Sequence, residues 1–168
     1  MQTQQPIDWL HPRLIFVCSG NICRSPMAEG LARERFRQDG IEATVISMGT
    51  LNLQGRKAET AAIEVMRELG IDISGHRSQG LNSTLLNRAD AAFGMTLDHV
   101  RRMQMCGANA LRSSFLLASY ATPPLPEIWD PMGGSLQEFR ECRELIRECI
   151  ERWYLREVLP HLGNTPKG

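Results

Sequence analysis

A chain of 168 residues, 42% apolar and 23% charged, has the size and composition of one soluble globular domain with room for a sizeable core. Nineteen Lys and Arg against nineteen Asp and Glu leave no net charge, so no global field points to a nucleic-acid or anionic-membrane partner. The N-terminal stretch lacks the basic and apolar regions of a signal peptide, no apolar run approaches membrane-spanning length, and five irregularly spaced cysteines form no secreted disulfide framework, so a reducing cytoplasm is the expected compartment.

In chain order, Leu14–Cys18 is a short apolar run broken by Gly20 and reads as a buried strand. Met27 to Phe36 carries apolar residues at helical spacing, with Pro26 suited to the first turn, where a missing N–H costs nothing. Ala43–Ser47 is a second, β-branched run. Arg56 to Leu69 reads as an amphipathic helix stopped at Gly70. Ala89–Met95 and Leu111–Ala118 are the third and fourth strand candidates. Pro123 to Pro126 reads as a stiff loop. Ser135 to Leu159 is a long helical pattern, with Ser135 and Glu138 in capping-box spacing and Pro160 behind it. Strands alternating with helices imply an α/β domain, a parallel sheet with helices on both faces. We expect that domain over residues 13–162, preceded by an extension, 1–12, and followed by a tail, 163–168.

The segment Val17 to Pro26, VCSGNICRSP, carries the chemistry. Cys18 ends the first strand, where ligands bind in open parallel sheets. The loop Ser19, Gly20, Asn21, Ile22, Cys23 and Arg24 then runs into a helix N-terminus, whose amides and dipole favour an anion. A thiolate at Cys18 would be favoured by those amides and by Arg24, and Arg24 could grip two phosphoryl oxygens at once. Gly20 is expected to supply a positive φ and Asn21 to tie the loop down; the Ser25 hydroxyl could donate to the Cys18 sulfur. Set against this, Cys18 could be a core cysteine and Arg24 a surface residue. Asp130, in Trp129-Asp130-Pro131, could be a plain turn former or an acid that protonates a leaving oxygen and then activates water.

VCSGNICRSPMAEGL resembles the phosphate-binding loop of the low-molecular-weight protein tyrosine phosphatases, and Asp130-Pro131 is similar to that family's general-acid loop. Weaker similarities are Ser47-Met48-Gly49-Thr50, Glu68 to Ser74 with His76-Arg77-Ser78, and Met95-Thr96. The resemblance implies a four-stranded parallel sheet, with the phosphate-binding loop after the first strand. It also implies catalysis through a phosphocysteine with no metal or other cofactor, and a phosphorylated protein as substrate. On it, Cys18 would be nucleophile, Arg24 phosphate clamp and Asp130 acid and base, with Asn21, Ser25 and His76 as supports. For His76 a solvated surface histidine is the competing reading.

Two markers divide over the substrate. Met132 and Gly133 follow Asp130-Pro131 where many members carry tyrosine, and Asp-Pro-x-Gly-Gly-Ser is closer to the protein-arginine phosphatases. Ile22, however, stands where those enzymes have threonine, so phosphotyrosine is favoured. Arsenate reduction is disfavoured because Cys106 stands alone in mid-chain, while Cys142 and Cys149 lie seven apart at core-like spacing. A phosphoprotein-binding module without catalysis is expected to have lost Cys18, Arg24 or Asp130. Cys23 is either a redox partner of Cys18 or a small core residue. Leu51, Leu53, Met132 and Met48 are candidates for the pocket rim or for ordinary packing. No oligomeric state follows from the sequence.

Overall fold

The apolar run at the start of the domain forms β1 (Arg13–Cys18), buried along nearly its whole length. The computed structural model describes residues 6–163; the first five residues of the expected extension and residues 164–168 of the expected tail lie outside the described residues. Because strand side chains alternate, β1 feeds two cores. Leu14, Phe16 and Cys18 enter one cluster, and Ile15 and Val17 the other. A strand buried on both faces reads as unbroken apolar sequence, which is why β1 was visible without alternation.

Four parallel strands follow the order β2-β1-β3-β4, with β2 at Thr44–Gly49, β3 at Ala91–Gly94 and β4 at Ser114–Leu116. On one face pack α1 (Arg24–Gln38), α2 (Thr60–Arg67) and α6 (Leu136–Trp153), which supply Met27, Leu31, Phe36, Val65, Met66, Phe139 and Ile146 to the larger cluster. On the other pack α3 (Ser83–Arg88), α4 (Leu97–Gln104) and α5 (Ala108–Ser113), through Leu86, Val100, Met103 and Ala110. Trp9 stacks on His161 and meets Trp153, so the segment before β1 is fastened to α6 and to the helical residues that follow it.

Several expected boundaries shift for local reasons. The helix expected from Arg56 begins only at Thr60, because residues 55–59 are held out of helical geometry. Gly55 and Arg56 exchange backbone hydrogen bonds with Ser78, and the Glu59 amide donates to the Ile22 carbonyl. The helix also stops at Arg67, two residues short of the expected Leu69, and a turn carries the chain to Gly70 at φ +73°. The fourth strand is shorter than Leu111–Ala118: Ser113 and Ser114 hydroxyls donate back to Asn109 and Ala110 carbonyls and prolong α5, and a 3-10 turn takes over at Leu117. Pro160 does not end the last helix. A π-helical turn at Tyr154–Val158 widens the backbone just ahead of it, and helix resumes as α7 (Leu159–Leu162).

Phe93 joins these layers: fully buried on β3, it contacts Phe16, Phe115, Tyr120 and Trp153 at centroid separations of 5.0–6.4 Å. Truncating it to alanine removes a large side chain from a site that four rings prevent from collapsing. Phe93→Ala is expected to lower unfolding free energy by about 3–5 kcal/mol in urea titrations.

Candidate active site

The loop from Ser19 to Cys23 leaves the carboxyl end of β1 and enters α1, and its shape is set by Asn21. That residue is wholly buried and has φ +57°, a left-handed conformation that asparagine tolerates better than most residues. The expected positive φ at Gly20 is not observed. The left-handed position falls one residue later, and Gly20 instead leaves room for the Ile22 side chain, 3.3 Å from where a Cβ would stand.

Every polar atom of the Asn21 side chain is engaged. Nδ2 donates to Ser25 Oγ and to Ser47 Oγ, both at 2.9 Å, and Oδ1 accepts from the Gln79 amide at 2.9 Å. Ser47 in turn donates to Glu29 Oε2 at 2.5 Å. His76 lies against the same network: Nε2 donates to the Asn21 carbonyl at 2.6 Å, and Nδ1 is 3.8 Å from Glu29. Ser25 Oγ accepts from Asn21, and its hydrogen has two acceptors within reach, the Cys18 sulfur at 3.0 Å and the Met48 carbonyl at 3.4 Å, of which the sulfur is the nearer. The Asn21 amide donates to that sulfur at 3.3 Å. Gly49 lets this happen, since a Cβ there would lie 2.7 Å from the Ser19 carbonyl oxygen.

Arg24 is the first residue of α1, and its buried guanidinium crosses to the loop before α6. Nη1 donates to the Ile128 carbonyl at 3.0 Å, and Nη2 is 3.4 Å from Asp130 Oδ2. Nε has no partner, the one such buried side-chain nitrogen or oxygen among the described residues. Nε and Nη2 form the guanidinium edge that binds two oxygens of a planar or tetrahedral anion. Asp130 is half-exposed, its other oxygen accepting from the Met132 amide at 3.1 Å. A turn closed by Gly134 N donating to the Pro131 carbonyl, with Gly133 at φ +77°, follows it.

His99, on α4, belongs to this site and escaped the sequence reading. Its Nε2 is 3.0 Å from Ser19 Oγ, and Nδ1 accepts from the Thr96 amide at 3.2 Å, in a capping box where histidine replaces the usual Glu or Gln. Thr96 before a helical turn was the only available signal. Burial, aided by the charge of Arg24, pushes His99 down to about 4.

Of the rim candidates, Met48 is fully buried in the second cluster, where its sulfur accepts from the Asn82 amide, so it is core and not rim. Leu51 and Met132 are exposed, at 64% and 52%. Cys23 is buried with Sγ 3.7 Å from Met132 Sδ, and burial pushes its thiol far up. Cys142 and Cys149 are buried in α6 and pushed up to about 12, again chiefly by burial. No group of three or more His, Cys, Asp or Glu stands in metal-binding arrangement among the described residues.

Two consequences can be measured. Asn21→Ala removes three hydrogen bonds and leaves a Cβ residue without local compensation at positive φ, an expected loss of about 3–5 kcal/mol in urea titrations. His99 takes a proton near 6.5 in the unfolded chain but only at about 4 when folded. Its contribution is therefore complete above pH 6.5 and is lost as pH falls toward 4, by up to about 3 kcal/mol. His99→Gln is expected to flatten that part of the stability–pH curve relative to the parent.

Comparison with known proteins gives this geometry a family. Residues 13–161 match the family model of low molecular weight phosphotyrosine protein phosphatases. A probable low molecular weight protein-tyrosine-phosphatase, EpsP, of Ralstonia solanacearum is 36% identical over 143 residues, covering 85% of this chain and 94% of that protein. A protein-arginine-phosphatase of Bacillus subtilis is 32% identical, covering 83% and 92% respectively. The crystal structure of a low molecular weight protein tyrosine phosphatase from T. tengcongensis superposes with a TM-score of 0.80 at 30% identity, over 86% of this chain and 99% of that one. The chain therefore belongs to the low molecular weight phosphotyrosine protein phosphatase family, cysteine-dependent hydrolases of phosphoproteins.

Proposed function

We propose that the protein hydrolyses phosphotyrosine in proteins through a phosphocysteine on Cys18. The observation that carries this reading is the unpartnered Nε of Arg24, which stands beside Nη2 on one buried guanidinium edge while Nη1 is anchored to Ile128. Leaving a buried N–H unmade costs about 1–3 kcal/mol, which an oxyanion in the loop would return. The phosphoryl oxygens would lie against amides of Ser19 to Arg24, those at the start of α1 having no helical carbonyl ahead of them.

In the first step the Cys18 sulfur attacks phosphorus, the S–P bond forms, and the ester P–O bond breaks. Asp130 gives its proton to the departing phenolic oxygen. In the second step Asp130, now a carboxylate, takes a proton from water as the water oxygen attacks phosphorus and the S–P bond breaks, releasing phosphate and the thiolate. Ser25 and the Asn21 amide donate to the sulfur and stabilise it as attacking and leaving group. Cys23, Cys142 and Cys149, the buried thiols that burial pushes furthest upward, are poor nucleophiles by the same physics. With Cys142 and Cys149 locked in α6, a cysteine relay of the arsenate-reducing kind has no exposed thiol there to use.

Phosphotyrosine is preferred to phosphoarginine because Ile22 is apolar and packed over Gly20 toward Leu53, offering no hydroxyl to a guanidinium. The Gly133-Gly134 turn and the arginine-phosphatase relative favour the second reading. We place the catalytic domain at residues 13–162, with 1–12 as extension and 163–168 as tail, and the protein in the cytoplasm, where its free thiols stay reduced. No helix among the described residues is long and apolar enough to cross a membrane.

Turnover of p-nitrophenyl phosphate is expected in EDTA, abolished in Cys18→Ser. Asp130→Ala should lose about 10²–10⁴-fold on phosphotyrosine peptides and much less on esters with acidic leaving groups. Wild-type turnover in Cys18→Ser would overturn the covalent route. Comparing kcat/KM on phosphotyrosine and phosphoarginine peptides decides the substrate, and Ile22→Thr should shift the ratio toward phosphoarginine.

A further inference from the structure

We propose, resting on the reading of the loop as a phosphate site, that His99 is a positioning residue: it pins the Ser19 oxygen and leaves the Ser19 hydroxyl hydrogen to donate to the bound phosphoryl group. The imidazole has two nitrogens with opposite duties. Nδ1 accepts from the Thr96 amide, so it carries a lone pair; the one ring hydrogen of the neutral form then sits on Nε2. Ser19 Oγ, 3.0 Å from Nε2, must accept, and its own hydrogen is free to point elsewhere. An imidazolium would oppose an N–H to the Thr96 amide, and the ring is buried beside Arg24, which holds the same neutral form.

The rest of the residue is fixed. The Ser19 carbonyl accepts from the Leu51 amide at 3.0 Å and packs against Gly49, which fixes the main chain, and the hydrogen bond from His99 fixes the hydroxyl oxygen on it. The loop is thereby braced from both neighbours of β1: Asn21, Ser47, Glu29 and His76 act from the β2 side, and His99 from the end of β3. A neutral donor suits the place. A carboxylate there would repel the phosphoryl oxygens, whereas a neutral imidazole orders the serine without adding charge. The charged groups around the ring are Arg24, Asp98, Arg102 and Asp130.

Two substitutions separate this role from helix capping. In His99→Asn the shorter amide oxygen can still accept from Thr96 but nothing reaches Ser19; in His99→Gln an N–H can reach Ser19. Steady-state kinetics on p-nitrophenyl phosphate, inhibition by inorganic phosphate and thermal unfolding would be measured for both, for Ser19→Ala and for the Ser19→Ala/His99→Asn double variant. We expect His99→Asn and Ser19→Ala each to weaken phosphate inhibition and lower kcat/KM by about tenfold, one charge-assisted hydrogen bond. The double variant should lose no more than either single, Gln should recover most of the loss, and the His99→Asn Tm should stay close to the parent's. Additive losses, or parental kinetics in His99→Asn, would overturn the proposal. Should His99→Asn not fold, the ring nitrogen-15 spectrum of the parent decides. A protonated Nε2 with bare Nδ1 at neutral pH, shifted by inorganic phosphate, supports it, and the opposite tautomer overturns it. A parent that neither turns over substrate nor binds phosphate would instead sink the phosphate-site reading, and this inference with it.

Discussion

A loop that binds an anion must turn several of its amides inward, away from the chain's own carbonyls, and is left short of backbone bonds to hold the bend. Asn21 resolves that conflict. Its backbone takes the left-handed turn that aims the loop inward, and its side chain exchanges the lost local bonds for three others, to Ser25, Ser47 and Gln79. Those partners stand on different elements, α1, β2 and the segment before α3, so the loop is held by the sheet itself. The arrangement depends on the register that sets Cys18 beside Gly49, because any side chain at Gly49 would strike the loop.

Hydrogen-bond surroundings then distinguish one thiol from the others. Cys23, Cys142 and Cys149 sit in apolar surroundings that hold their protons. Cys18 is equally buried, but it faces a hydroxyl and an amide at hydrogen-bonding distance and lies at the N-terminal end of a fifteen-residue helix. Burying the Arg24 guanidinium is costly, and Ile128 and Asp130 compensate it only in part. The unmade bond at Nε is what remains, and it lies on the guanidinium edge suited to a phosphoryl group. A site held incomplete in this way gains binding energy at the spot where chemistry is to happen.

Much of this was legible in the residues, and the parts that were not share a cause. Cys18, Arg24 and Ser25 are close in sequence, and local geometry is enough to bring them together. β1 was readable because a strand buried on both faces is apolar throughout, and α6 because Ser135 and Glu138 form the cap their spacing announces. The three short helices α3, α4 and α5 were not seen. Each is six to eight residues long, too short for a periodic signal, and the α4 cap uses histidine where the usual pattern has Glu or Gln. Glu29, Ser47, Gln79 and His99 were missed as loop supports because their roles come from contacts 18 to 80 residues apart along the chain. Met48 failed as a rim residue for a simpler reason: on β2 it faces the second core.

On this mechanism Cys18 itself carries the phosphoryl group during turnover, with Arg24 holding it and Asp130 on the leaving side. Rapid acid quench of Asp130→Ala during turnover of p-nitrophenyl phosphate, whose acidic phenol departs without a proton donor, followed by mass spectrometry of the peptide containing Cys18, tests this directly. The expected result is one phosphoryl group on Cys18, formed faster than it is lost because the leaving phenolate needs no acid while the attacking water lacks its base. Phosphate released at the parental rate with Cys18 unmodified, or a phosphoryl group on another residue, would contradict it.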